Sequence, residues 1–95
     1  MVTHIVIFTW IADVRAEQVE QLRQALNRLA TEFSDTATIR HGPDLGFRET
    51  GGDYALVATF ADRASWDAYQ ADPRHKAVVR DFVVPIQAAR LTAQF

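Results

Sequence analysis

His4, His41 and His75 are the only side chains of this 95-residue chain whose ordinary titration falls near neutral pH, and there is no cysteine to join them. His75 stands two residues after Pro73, between Arg74 and Lys76. A helix N-terminus and two neighbouring cations both disfavour imidazolium, so the sequence predicts a neutral ring able to accept a proton. Tyr69 lies six residues earlier, across the Asp72-Pro73 break. A phenol there can donate to a developing enolate oxygen while an imidazole removes an acidic proton between carbonyls. Plainer roles fit the same spacing: His75 could cap a helix or bond a backbone carbonyl, and Tyr69 could pack with a wet hydroxyl. His4, on one strand face with Val6 and Phe8, reads as a core histidine satisfied by one hydrogen bond. Facing a cavity, it could orient a carbonyl or hold a water. His41, before Gly42-Pro43, reads as an exposed strand-end residue.

Other chemistries find little support. The lack of cysteine removes disulfides, thiolate ligands and thiol nucleophiles, and three scattered histidines do not show metal-ligand spacing. Ser34 and Ser65 lack a nucleophile-elbow context, and no glycine-rich loop could cradle phosphates, so neither a metal nor a nucleotide cofactor is expected. Ten basic against twelve acidic residues, with no block of either sign, argue against a nucleic-acid partner. Nine of the ten are arginine, a bias that guanidinium recognition or genomic base composition would each produce. No apolar run approaches the ~18 residues of a membrane span, and the start has no basic and apolar export signal, so a cytoplasmic protein is expected. A chain this short buries only ~60–65% of its unfolded surface. Since 48% of its residues are hydrophobic, some of that surface is expected in an oligomer interface.

The elements that must position these groups follow from periodicity. Val2 to Trp10 is β-branched or aromatic on both faces, which predicts a central strand covered on both sides. Asp13 is a candidate cap for a helix over Ala16 to Phe33, whose Val19, Leu22, Leu26, Leu29 and Phe33 form one apolar stripe. Thr36 to His41 reads as a strand stopped or bulged at Gly42-Pro43, and Tyr54 to Phe60 as another after a Gly51-Gly52 turn. Asp62 caps a short helix carrying Trp66 and Tyr69. Asp72-Pro73 interrupts it, and a further helix runs to Pro85 with Val78, Val79, Phe82 and Val83 inward. Ile86 to Phe95 is the last strand. The order β-α-β-β-α-β predicts a single α+β domain over residues 1–95, a ferredoxin-like four-stranded antiparallel sheet with helices on one face. The other face calls for cover, and a second copy of the sheet is the simplest.

Four blocks carry a resemblance to a known family: His4-Ile5-Val6-Ile7-Phe8, Gly42-Pro43-Asp44-Leu45-Gly46, Asp53 to Phe60, and Tyr69 to Val79 with its Tyr, Asp-Pro and His before a valine-rich helix. Together they resemble the stress-responsive A/B barrel (Dabb) domain along essentially the whole chain. The resemblance implies a homodimeric α/β barrel of two ferredoxin-like units, with a cavity in each between sheet and helices. Some members are plant stress proteins without an assigned reaction, some form stable rings, and some are polyketide cyclases without cofactor. In the cyclase type, residues matching His75 and Tyr69 act as an acid–base pair on a poly-β-keto chain, and one matching His4 lies near the pocket. The plant cyclases place an aromatic residue in the first helix where this chain has Leu26, which makes a plant-type polyketide a poorer fit. The resemblance thus implies a small apolar or polycarbonyl ligand and a cofactor-independent cyclase or isomerase. The alternatives are a non-catalytic stress-response dimer or ligand binder and, lower, a cofactor-free monooxygenase of the same barrel type. Related dimeric barrels bind haem, for which His75 would be the ligand; nothing in the sequence favours it.

Overall fold

The computed structural model describes residues 1–95. Strand β1 (Val2–Trp10) leads to helix α1 (Ala16–Glu32), strands β2 (Ala37–Pro43) and β3 (Tyr54–Phe60), helices α2 (Arg63–Ala71) and α3 (Pro73–Val78), a π-helical turn at Val79–Val83, and strand β4 (Gln87–Gln94). The strands pair antiparallel in the order β2-β3-β1-β4, which is a ferredoxin-like α+β fold.

Register decides which side chains meet. Val6 sits opposite Leu56 on one side and Thr92 on the other, so His4, Val6 and Phe8 share a face with Leu56, Ala58 and Phe60. Helix α1 lays Leu22, Ala25, Leu26 and Leu29 on that face, all buried. The opposite sheet face carries Ile7, Val57 and Leu91, which are 38%, 39% and 72% exposed. The long β2–β3 connection closes through Asp53, whose carboxylate accepts from the Trp10 N–H at 2.7 Å. Gly52 next to it has no room for a side chain: a Cβ would run into the Ile7 side chain and lie 3.2 Å from the Phe8 carbonyl oxygen.

Two expectations are corrected. Asp13 does not cap α1. It lies in a tight turn closed by the Val14 N–H on the Ile11 carbonyl, and the cap position falls to Arg15, whose N–H is held by the Gln18 side chain at 2.9 Å. Strand β2 does not stop at Gly42-Pro43 but pairs through Pro43 opposite Tyr54. It is an edge strand with a single neighbour, so a residue without an N–H can be accommodated there. The helix break at Asp72, the caps at Asp62 and the burial of Val83 match the sequence reading.

Candidate functional site

A cavity of about 90 Å³ lies between the sheet and the helices, walled by Val6, Leu26, Leu29 and Val83 and bearing His4, Tyr69 and His75. Local chain chemistry builds it. Asp62 opens α2 by accepting from the Ser65 N–H at 2.8 Å. Asp72 ends α2 in extended backbone, Pro73 cannot continue its hydrogen bonding, and the Asp72 carboxylate then caps α3 at the Arg74 N–H, 2.8 Å away. This change of direction turns His75 back toward Tyr69, with ring centroids 4.3 Å apart. Tyr69 is itself wedged between Phe33 and Phe60, at 5.0 and 5.2 Å, and is only 2% exposed. The π-helical turn after α3 brings Val79 and Val83 to the same wall.

The charge states are set mostly by burial. Burial alone pushes the Tyr69 phenol up to about 12, so it is a protonated donor across the physiological range. His75 is shifted down chiefly by burial, with His4 and then the positive charge of Arg90 adding to it, while the Gln70 carbonyl and Asp72 oppose the shift. The neutral ring expected from sequence is therefore present, for a different main reason. Arg74 does not face it: its guanidinium is held by Asp72 and Glu32 and lies over the Phe33 ring. The Nδ1 atom of His75 is buried and has no hydrogen-bond partner.

His4 is a core histidine satisfied by one hydrogen bond, and it also lines the cavity. It is buried, its Nδ1 is 2.9 Å from the Gln94 amide nitrogen, and its ring meets Trp66 edge-on at 6.0 Å while forming part of the cavity wall. The Gln94 amide donates, which leaves the proton of the neutral ring on Nε2. Burial and then Arg90 lower its proton affinity too. His41 departs from its expected exposure. It is half-buried on the far side of the core, its Nδ1 2.8 Å from the Tyr54 hydroxyl and its Nε2 2.8 Å from the Asn27 side-chain oxygen. It takes no part in the cavity and instead ties α1 to the sheet.

Arg90, Thr92 and Gln70 also line the cavity and were missed. The signal for the two β4 residues lay in alternation. Strand β4 puts Arg90, Thr92 and Gln94 on the face shared with the buried Phe8, Val6 and His4, and Ala89, Leu91 and Ala93 on the other. The three polar residues are exposed, as side chains on an edge strand can be, and Arg90 and Thr92 reach the cavity from that edge.

The family model for the stress responsive A/B barrel domain matches residues 2–95. The chain belongs to that family. Among solved structures, a dimeric ferredoxin-like protein of unknown function from Thermobifida fusca is 33% identical, with a TM-score of 0.90 over 99% of this chain and 88% of that one. A Dabb family protein from Mesorhizobium loti is 19% identical, with a TM-score of 0.81 over 99% of this chain and 93% of the other. The hydroxynitrile lyase of Passiflora edulis is 20% identical, with a TM-score of 0.83 over 99% of this chain and 90% of the lyase. No curated protein sequence matches the chain. The cavity of this Dabb domain, at about 90 Å³, is too small for a haem macrocycle. No helix is long and apolar enough to cross a membrane.

Proposed function

We propose that this Dabb protein acts as a homodimer whose helix-side cavity performs cofactor-independent acid–base chemistry on a small carbonyl compound. The observation that carries the reading is the 4.3 Å approach of the His75 and Tyr69 rings in one largely apolar cavity. His75, neutral, takes a proton from carbon beside a carbonyl; the C–H electron pair moves to the carbonyl oxygen, which Tyr69 stabilises by hydrogen bonding as an enolate. Returning the proton from His75 to another atom completes an isomerisation; attack of the enolate carbon on a second carbonyl within the same molecule, whose oxygen then takes the proton back from His75, completes a cyclisation. His4, fixed by Gln94, orients the carbonyl from the opposite wall. That a hydroxynitrile lyase shares the fold is in keeping with lyase or isomerase chemistry here. The homodimer is supported by the dimeric Thermobifida fusca relative and by the apolar residues Ile7, Val57 and Leu91 left exposed on the outer sheet face. A ligand-binding dimer without turnover is the second reading, and the small volume of the cavity favours it.

Exchange of α-protons for deuterium in small ketones and β-keto esters, followed by proton NMR in D₂O, tests the proposal. The wild-type protein should accelerate exchange over buffer. Loss of the base in His75→Ala should lower the acceleration by ~10²-fold or more. Tyr69→Phe should slow exchange by about ten-fold to a few hundred-fold, since one oxyanion donor is removed. Both variants should sediment as wild type. Equal rates for wild type, His75→Ala and buffer would hand the case to the non-catalytic reading.

A further inference from the structure

The cavity opens onto a shallow depression of about 350 Å³ that shares Gln70, His75, Val79 and Arg90 with it and adds Lys76 and Arg80. The mouth is thus ringed by three cations. Only one of them is spoken for: Arg80 is bound to Asp81 at 2.7 Å. Neither Lys76 nor Arg90 belongs to any ion pair of the protein. Asp72, the acid whose charge acts on His75, is engaged by Arg74 at 3.0 Å. Arg90 is the more telling of the free pair. It stands exposed on edge strand β4, paired with Phe8, and lines the inner cavity and its mouth alike. A guanidinium placed there, beside apolar walls and two neutral imidazoles, has no acidic partner within the chain.

We infer that Arg90 is an anion-recognition residue and that the cavity takes a short-chain carboxylic acid, its carboxylate on Arg90 at the mouth and its carbonyl-bearing carbons inward beside Tyr69 and His75. The inference rests on the reading of this cavity as the substrate site and narrows it to short keto acids. Guanidinium matches a carboxylate with two parallel N–H donors, which an ammonium does not. The inner volume of about 90 Å³ suits a few carbon atoms, so the charged end of such a ligand is left at the mouth. Lys76 adds attraction for the anion without fixing its geometry. The arrangement also separates tasks: Arg90 holds the end of the molecule that does not react, and the acid–base pair works on the part that does.

The test is a matched pair of probes, 4-oxopentanoate and its primary amide, titrated into the ¹⁵N-labelled full-length protein. Binding is followed by amide shifts, with β4 and α3 as the expected site. The carboxylate should bind roughly ten- to hundred-fold tighter than the amide, the range expected for hydrogen bonds to a charged group. Arg90→Gln should erase that preference, with the carboxylate losing far more affinity than the amide, and Arg90→Lys should restore part of it. Raising the salt from 50 to 500 mM should weaken the carboxylate only. Equal affinities in the wild type, a preference that survives Arg90→Gln, shifts located away from the cavity, or no binding of either probe would each overturn the inference. Deuterium exchange into a neutral ketone separates the two proposals. If His75→Ala leaves that exchange unchanged while the carboxylate preference holds, the acid–base reading fails and anion recognition by Arg90 stands.

Discussion

Leu22 and Leu26 sit one helical turn apart on the same stripe of α1, yet truncating them should cost different amounts. Leu22 is completely buried, whereas Leu26 is 4% exposed and forms part of the wall of the 90 Å³ cavity. Replacing a buried Leu by Ala removes its transfer free energy and adds a cost of ~24 cal/mol for each Å³ of void created, giving about 2.7–5.0 kcal/mol in well-packed cores. Leu22→Ala opens a new void among side chains that close around it, so about 4–5 kcal/mol is expected. The Leu26 side chain already lacks neighbours on its cavity side and contributes fewer dispersion contacts, so about 2–3 kcal/mol is expected for Leu26→Ala. Urea unfolding followed by tryptophan fluorescence, at one fixed protein concentration, reads the difference. With a slope of ~1–3 kcal/mol/M for a small domain, the two midpoints should differ by about 1 M, with Leu22→Ala unfolding first and the slopes unchanged. A larger loss for Leu26→Ala than for Leu22→Ala would mean that the cavity wall is tightly packed, and the site as described would be wrong. No loss for either would mean that α1 presents another face to the sheet.

Sedimentation at micromolar concentration should give about twice the 10.7 kDa chain mass, or a multiple of it. Val57→Glu, which places a charge among Ile7 and Leu91, should lower that mass; a well-behaved wild-type monomer would refute the proposed interface. Acid should destabilise the fold well above the carboxylate range. His4, His41 and His75 are all shifted below the ordinary value of 6.5, chiefly by burial, so the unfolded chain takes up their protons first as pH falls. Their contribution is complete above pH ~6.5 and is lost as pH drops through that value toward the lowered native ones. The melting temperature should therefore fall steadily between pH 7 and pH 5, and a flat or rising profile would contradict the burial of the three rings.

Much of the architecture was legible because it depends on local pattern. The alternation in Val2–Trp10, the stripe from Leu22 to Leu29 and the Asp72-Pro73 break each specify their element with little help from distant contacts. The pairing of Tyr69 with His75 was legible for the same reason, since a proline between them dictates a reversal. What escaped was decided by placement in the sheet. Pro43 could remain in a strand only because β2 is an edge, and strand order is not written in any one segment. Asp13 is a good cap by residue type but is taken up in the Ile11–Val14 turn, and the cap position falls two residues on, at Arg15. The neutral state of His75 was reached from its sequence neighbours, Arg74 and Lys76, whereas the larger effect is burial and the cation that matters stands 15 residues away on β4. Arg90 could have been found from the inverted alternation of its strand, but only once β4 was known to lie beside β1.

Two features of the helix-covered face run against what stability alone would select. The first is the void itself. At ~24 cal/mol/Å³, 90 Å³ left unfilled forfeits up to about 2 kcal/mol, a sizeable part of the ~5–15 kcal/mol that holds a domain together. Larger side chains at Leu26 or Val79 would occupy the space, so its persistence is a matter of residue choice and not of geometry. The second is the polar row of Arg90, Thr92 and Gln94, exposed on edge strand β4 but on the face it shares with the buried His4, Val6 and Phe8. Each could be tolerated singly on an edge strand. Both fall at the same place, and at that place the interrupted helix and the π-helical turn also bring His75 against Tyr69. The proposed acid–base site would use each of them: the void to admit a small molecule, Arg90 at its edge to hold it, and the broken helix to bring His75 and Tyr69 to it.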